Sequence, residues 1–302
     1  TDILLAHVQA IIEAAGHTVV PVVVRDLPAR PLVLAEAGDP EIAAALAPHD
    51  HPFGAKRPCL DTNYYATYNR PNVTLVNLRQ EPIKAITASG ISTDKRSFDV
   101  DVIVFATGFD AMTGAIMAVH PISGRGGKSL SDVWAHGPQT YLGVTVAGFP
   151  NLFMITGPGS PSVLSNMAVS IEQHVDWLAD CMAHMRDVGA ATIEPKREDE
   201  DAWVEHVTDV STVSLRSTCS SWYVGTNIPG RPRVFMPYIG GFPVYVQKCN
   251  EVMSAGFDGF VLEGAPASNA APQVRYTERW RVPIDIDVIS PAAVAAKRVP
   301  VV

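Results

Sequence analysis

The stretch that decides the fold is DVDVIVFATGFDAMTG at 99–114. Its centre, VIVFA at 102–106, is an uninterrupted apolar run of strand length, which is typical of a strand covered on both faces in a parallel sheet. Thr107 and Gly108 end the run, and ligands bind at the carboxyl ends of strands in open α/β sheets. The stretch therefore predicts a buried strand of an α/β sheet with a ligand near its end.

The segments on either side alternate between helical and strand patterns. Residues 2–15 carry apolar residues at helical spacing, Gly16 ends that pattern, and HTVVPVVV at 17–24 predicts a strand. A short helix is expected at 40–47, where the sequence is PEIAAALA. Further strands are expected at 72–78, in a hairpin with a Ser-Gly turn at 82–94, and twice within 140–162. Together these patterns favour an α/β fold.

The most regular helix is expected at 163–187. Its apolar residues recur at steps of three and four and form one stripe that we expect to face the core: Ile171, Val175, Leu178, Met182 and Met185. The helix follows the loop GPGSPSVLSNM at 157–167, where unpaired amide groups of a helix start attract negative charge. A second helix begins at the acidic run 198–201, which we interpret as a cap and a solvated face.

Bulk composition limits the classes of protein that fit this chain. It has 302 residues, 47% of them hydrophobic, and a net charge of −8, which favours a sizeable core and argues against a nucleic-acid surface. No apolar run reaches the roughly 18 residues of a membrane span, and no signal-peptide pattern opens the chain. The four cysteines are far apart, so no zinc site or disulfide framework is indicated and the cytoplasm is the expected compartment. Because the first residue is Thr1, we expect the sequence to begin inside a longer chain.

Two adjacent cations stand out in HPFGAKRPCLDTNYYATYNRPNV at 51–73. Neighbouring side chains point in different directions, so Lys56 and Arg57 can serve two anionic groups, or one solvent face and one site. A solvated basic loop is the simpler explanation, because Lys and Arg are mostly exposed. Both interpretations stay open on the residues alone.

Several common motifs are incomplete or missing. GRGGKS at 124–129 resembles a phosphate loop, but the required first glycine would fall on Ile122. The chain has no G-x-S-x-G sequence and no metal-ligand spacing among its histidines. It also has no G-x-G-x-x-G sequence, so a dinucleotide site built by this chain alone would lack its usual pyrophosphate turn.

Five segments in order carry a resemblance to one family. They are FGAKRPCLDTNYYATYNRPNV, VIVFATGFDAMTG, AGFPNLFMITGPGSPSVLSNM, IEQHVDWLAD and SWYVGTNIPGRPRVFMPYIGG. Over about 39–264 the chain resembles the C-terminal half of Baeyer–Villiger monooxygenases, in their phenylacetone and steroid monooxygenase branch. The resemblance implies a partial flavoprotein with two dinucleotide-binding domains. It also implies FAD and NADPH as cofactors, with a ketone and O2 as substrates that give an ester or lactone.

The resemblance gives the cation pair a role. It implies that Lys56 contacts the 2′-phosphate of NADPH and that Arg57 reaches the flavin and the nicotinamide. The chemistry agrees, because Lys supplies a point cation and Arg a planar, permanently charged fork. Arg57 is therefore the expected catalytic residue, which stabilises negative charge that develops at oxygen during attack on the ketone.

Other positions carry over from the family one at a time. The resemblance implies that Thr107, Gly108 and Met167 lie at the flavin and that Trp222 closes over NADP on a mobile loop. It implies a substrate pocket shaped by the following residues: Ser162, Val163, Leu164 and Met236. A structural turn, a buried methionine and core aromatic packing are the alternatives at these positions.

The chain also departs from the family. Both Gly-rich nucleotide motifs and the aspartate partner of the arginine belong to family segments that this sequence lacks. Residues 1–38 instead resemble weakly an α/β segment of NADPH-dependent FMN reductases, and 265–302 have the composition of a linker and a tail. We therefore expect either an incomplete monooxygenase or a non-catalytic truncated or fused chain that binds NADP or a partner.

Overall fold

The computed structural model of the protein describes residues 36–57, 62–119 and 121–264. The chain divides into two units, Thr1–Ala106 and Thr107–Val302. The predicted helix at 2–15, the predicted strand at 17–24 and the tail at 265–302 lie outside the described residues.

Among the described residues of the first unit are helix α1 (Pro40–Leu46) and the short helix α2 (Tyr64–Thr67). Asp39 caps α1, because its Oδ1 accepts hydrogen bonds from the amides of Glu41 at 2.8 Å and Ile42 at 3.3 Å. Ala43 is the buried residue of α1. The short helix predicted at 40–47 is confirmed.

The described part of this unit also contains a three-stranded antiparallel sheet: β1 (Ile83–Thr87), β2 (Gly90–Thr93) and β3 (Ser97–Asp99). Thr87 pairs with Gly90, so the predicted hairpin is confirmed. A Cβ atom at Gly90 would lie 1.9 Å from the carbonyl oxygen of Phe98, which explains why the hairpin needs glycine at this position.

The strand predicted at 102–106 is wrong. These residues have no strand geometry, and Val102, Val104 and Phe105 are 76%, 81% and 68% exposed. A strand of a parallel sheet takes its hydrogen bonds and its cover from neighbours on both sides. Among the described residues no strand pairs with this run, so its apolar side chains have no cover within that part of the chain.

Two further predicted strand regions are also wrong. Residues 72–78 are irregular, and 140–162 contains the isolated bridge between Tyr141 and Thr145 in place of two strands. The second region is buried, with Val144 and Val146 in the core, although it has almost no ladder. This segment therefore packs into the core without forming a strand ladder.

Over residues 107–119 and 121–264, the second unit is mainly helical and contains one small antiparallel sheet. Its elements in chain order are α3 (Gly114–Met117), α4 (Leu130–Val133), α5 (Met167–Asp187), β4 (Thr192–Pro195), α6 (Arg197–Ser211), α7 (Phe242–Ser254) and β5 (Phe260–Glu263). Strands β4 and β5 pair with each other. The core lies between α5, α6 and α7, where the indole Nε1 of Trp177 donates a hydrogen bond to the Cys249 carbonyl at 3.0 Å.

The helix predicted at 163–187 is confirmed as α5, which begins at Met167 after a separate 3-10 turn at Ser162–Leu164. It buries a different face from the one that its apolar stripe predicts. Ile171, Val175 and Met182 are 41%, 50% and 52% exposed, and of the stripe only Leu178 is buried. The face that packs into the core carries Gln173, His174, Trp177 and Cys181 as well as Leu178. His174 and Trp177 find hydrogen-bond partners within the core, and the apolar stripe stays largely uncovered by the described residues.

Helix α6 has the expected acidic first turn, but Glu200 is fully buried rather than solvated. Its Oε1 accepts a hydrogen bond from the Ala147 amide at 2.8 Å, and its other oxygen pairs with the half-exposed Arg197. Burial raises the pKa of this carboxyl group. The carboxylate thus connects α6 to the buried loop at Ala147.

We expect Glu200→Ala to lower the free energy of unfolding by about 2–3 kcal/mol, because the buried Ala147 amide loses its acceptor. Glu200→Gln keeps an amide oxygen for that bond and is expected to cost less than about 1 kcal/mol, since Arg197 can turn to solvent. Urea unfolding of both variants at neutral pH measures the difference. Equal losses would show that the charge, and not the acceptor, is what matters.

Candidate functional site

The second unit contains a cleft of about 840 Å³, called here the main cleft. Its lining comes from the following segments: 107–112 after the exposed apolar run, 154–158, the turn and helix start around Ser162, Val163 and Met167, and a loop with Trp222, Asn227 and Ile228. Most of these side chains are apolar, and Asp110 supplies a carboxylate. The cleft is suited to a flat, largely apolar ligand with some polar edge groups.

Residues of the 222–231 loop hold the 107–113 wall in place. Arg231 donates a hydrogen bond from Nη1 to Thr113 Oγ1 at 2.6 Å, and its Nη2 lies 3.7 Å from Asp110 Oδ2. The amide of Asn227 donates a weak bond to the Phe109 carbonyl at 3.4 Å. The two walls of the cleft are therefore joined by polar contacts at one end.

Close backbone packing shapes the 154–158 wall. A Cβ atom at Gly157 would lie 2.6 Å from the Gly143 carbonyl oxygen, and one at Gly143 would lie 2.4 Å from the Ser160 amide nitrogen. Thr156, although not glycine, has a left-handed φ of 55°. Its N–H donates to Nδ1 of the buried His174 at 2.9 Å. Close approach of backbone segments thus explains the glycines of this loop, in addition to the access for a ligand that was expected from the sequence.

The structure brings together most of the site residues predicted in this unit. Those that line the main cleft are Thr107, Gly108, Ser162, Val163, Met167 and Trp222. Leu164 lies outside the lining and packs against the cluster of Tyr223, Val224 and Phe235. Met236 is buried and borders two smaller cavities instead. The roles assigned to all eight positions remain proposals.

The cation pair lies in the first unit. Lys56 Nζ is 4.0 Å from Asp50 Oδ2, and Arg79 Nη2 is 3.5 Å from the same oxygen. Asp50 also accepts a hydrogen bond of 2.6 Å from the ring of His51, and this bond, together with Lys56, lowers the pKa of its carboxyl group. Arg57 is exposed. The contact with Asp50 is compatible with both the basic-loop interpretation and a phosphate-binding role for Lys56.

Sequence reasoning missed several residues that position the main cleft. The patterns gave no role to Asn227, Arg231 or His174. His174 is buried on the core face of α5 and needs partners inside the protein, but the sequence alone does not show which face of that helix the core covers. Among the described residues no group of His, Cys, Asp and Glu is arranged to hold a metal ion.

No family model matches the chain. An acetone monooxygenase (methyl acetate-forming) of Gordonia sp. (strain TY-5) is 41% identical over 226 residues, which are 74% of this chain and 42% of the relative. A crystal structure of oxidized steroid monooxygenase bound to NADP is 47% identical with a TM-score of 0.71, covering 78% of this chain and 44% of the other. A crystal structure of OTEMO in complex with FAD and NADP is 38% identical with a TM-score of 0.73, covering 78% and 43%.

These matches confirm the resemblance and its partial extent. The chain spans less than half the length of the relatives that it matches. The neighbouring structures are flavoproteins with FAD- and NADP-binding α/β domains, so the predicted fold class, a partial fold of this type, is confirmed. Within the described residues no helix has the length and apolar character needed to cross a membrane.

Proposed function

We propose that this chain, a partial Baeyer–Villiger monooxygenase by its relatives, forms the ketone and flavin-ring side of such an enzyme. The observation that carries the proposal is the main cleft, where residues expected at the flavin, at NADP and at the substrate line one space. The reaction is the insertion of one oxygen atom of O2 next to a ketone carbonyl. The cytoplasm is the proposed compartment, because the buried cysteines Cys181 and Cys249 are free thiols.

The main cleft fits one part of FAD and not another. Its apolar walls, with Met112, Met154 and Met167, suit the flat flavin ring, which supplies the oxygen-activating chemistry when it is bound. A pyrophosphate needs cations or unpaired backbone amides at a helix start. No Lys or Arg is among the described residues that line the cleft, and at the start of α5 the amides of Ala168 and Val169 already donate to Asn166 Oδ1. The residues present would therefore hold the ring and leave the pyrophosphate to a part of the enzyme that the match does not include.

The residues of this chain have separate proposed tasks. Met167 and Gly108 bound the ring site, and Val163 and Ser162 limit the space for the ketone. Trp222 excludes water by covering the open side, which strengthens every charge interaction inside. Arg57 is proposed to supply the fixed positive charge for the oxygen that becomes negative.

A second candidate is a chain without turnover that binds NADP or another polypeptide. The observation that favours it is the uncovered apolar surface at 102–106 and on α5, which a working enzyme would bury. The two candidates differ in whether supplying the unmatched part restores catalysis.

We expect the purified 302-residue chain to bind FAD weakly or not at all, because its pyrophosphate site is incomplete. Fusion to the part of the acetone monooxygenase that it does not match is expected to restore bound flavin and ketone-dependent ester formation. Absorbance of bound flavin after gel filtration and product analysis measure the two steps. Stoichiometric FAD on the chain alone would overturn the first expectation, and a flavin-loaded fusion without ester would favour the second candidate.

A matched pair of variants links the result to the main cleft. Val163→Arg places a cation in the lining, while Val213→Arg changes a residue that is 67% exposed and outside the lining. Only Val163→Arg is expected to abolish ester formation by the fusion. A similar loss with both variants would mean that the cleft is not the reaction site.

A further inference from the structure

Two non-glycine residues with left-handed backbone support the same wall of the main cleft. Thr156 has φ 55° and lines the cleft, and Leu142 has φ 56° next to Gly143. Gly143 in turn packs against Gly157 of the wall and against Ser160, which follows the wall in sequence. Such backbone conformations are unfavourable for residues with a Cβ atom, and they persist where surrounding contacts impose them.

One chain of hydrogen bonds joins these two residues. The N–H of Thr156 donates to His174 Nδ1 at 2.9 Å, so the neutral ring carries its proton on Nε2. Nε2 lies 2.7 Å from the hydroxyl of Tyr245, and that hydroxyl donates to the Leu142 carbonyl at 2.7 Å. Each donor in the chain therefore meets one acceptor, from the amide of Thr156 to the carbonyl of Leu142.

The chain of bonds is sealed from water. His174 is 1% exposed and Tyr245 is 0% exposed, and neither lines the main cleft. A protonated His174 would present an N–H to the N–H of Thr156, so the neutral ring is the form that matches the wall. The pair therefore acts on the cleft through the backbone and not through contact with a ligand.

We propose that His174 and Tyr245 are positioning residues that hold the 154–158 wall of the main cleft in its ligand-binding conformation. The simpler alternative is that His174 and Tyr245 only satisfy each other inside the core. That alternative does not explain why both ends of the chain of bonds meet residues with left-handed backbone, Thr156 and Leu142. That the wall binds a ligand rests on the proposed function. The hydrogen bonds that brace the wall do not depend on any reaction.

Amide hydrogen exchange in the 302-residue chain tests the bracing without any ligand. His174→Leu removes the acceptor and keeps an apolar side chain, so exchange at Thr156 is expected to rise about ten- to a hundredfold. His174→Asn places an amide oxygen where Nδ1 was and is expected to restore most of the protection. Tyr245→Phe keeps the ring and releases the Leu142 carbonyl, with a smaller rise expected at Thr156.

Cys181→Ala is the matched control, because Cys181 is buried on the same face of α5 and has no described bond to the wall. It is expected to lower overall stability without a selective effect at Thr156. If His174→Leu raises exchange at Thr156 no more than this control does, at equal global stability, the pair is only part of the core and the proposal fails. The proposal also fails if His174→Asn protects Thr156 no better than His174→Leu.

The fusion enzyme then shows whether the wall matters for the reaction. His174→Leu is expected to raise the KM for the ketone about tenfold, with His174→Asn close to the unmodified fusion. Altered exchange with an unchanged KM would overturn the claim that the brace serves ligand binding. An unmodified fusion that forms no ester would instead count against the proposed function, and the exchange result would still decide the bracing.

Discussion

Arg57→Ala in the fusion enzyme is expected to lower ketone oxygenation by roughly 10²–10³-fold or more, the usual loss when a fixed charge donor is removed from a developing oxyanion. Flavin reduction by NADPH is expected to survive in part, because hydride transfer builds no negative charge on oxygen. Arg57→Lys keeps the charge but loses the planar fork, so it is expected to rescue little. Ester formation and anaerobic flavin reduction, measured on the same preparations, separate the two steps.

Lys56→Ala is the matched control for Arg57→Ala. It is expected to raise the KM for NADPH and to narrow the preference over NADH, because only NADPH carries the 2′-phosphate. Asp50 lies 4.0 Å from Lys56, so Asp50→Asn changes the same loop without removing a cation. If Arg57→Ala forms ester at the unmodified rate, Lys56 and Arg57 are better explained as a solvated basic loop.

Stability is expected to depend on pH through His174. Burial lowers the pKa of its imidazole from 6.5 to about 4, so the unfolded chain takes up a proton at a higher pH than the folded chain. The contribution to stability is complete above pH 6.5 and is lost as the pH falls toward 4. The loss over this range amounts to about 3 kcal/mol.

Urea unfolding at about pH 7.5 and about pH 4.5 measures this contribution as the difference between the unmodified chain and His174→Asn. Comparison with the variant is needed because carboxyl groups also titrate at acid pH, such as Glu81, whose pKa is lowered by its bonds to Arg96 and Thr93. Tyr245, which is hydrogen-bonded to the ring, is neutral near pH 6 because burial raises the pKa of its hydroxyl. An equal loss of stability in both proteins would mean that His174 does not titrate on unfolding.

Local signals were enough for elements that depend on nearby residues. The hairpin of β1 and β2 follows from its turn and strand pattern, and α1 follows from the alanine-rich run at 40–47. The acids at the start of α6 also marked a real helix start. The sequence could not show the partner of Glu200. This residue has the pattern of a solvated side chain, and only the structure places the Ala147 amide beside it.

Long-range pairing explains the main errors. The run at 102–106 has the composition of a buried strand, but a strand requires a neighbouring strand to pair with, which the described residues do not offer. For α5, periodicity found an apolar stripe and could not tell which of two faces the core would take. The polar residue His174 lies on the chosen face because Thr156 and Tyr245 satisfy it, and those contacts link distant parts of the sequence.

The cleft residues were predicted for a different reason. The positions at 107–108, 162–163, 167 and 222 came from resemblance and not from periodicity, and the structure places them around one space. Arg231 and Asn227 hold the 107–113 wall. The sequence assigned neither residue a role, and their contacts are seen only in the structure.

The uncovered stripe of α5 has a practical consequence for colloidal behaviour. Ile171, Val175 and Met182 present an apolar row on a long, regular helix, and a row of this kind promotes self-association as concentration rises. Preparations of the chain by itself should therefore gain from dilution, low temperature and mild detergent. Low temperature helps because the attraction between apolar surfaces weakens on cooling.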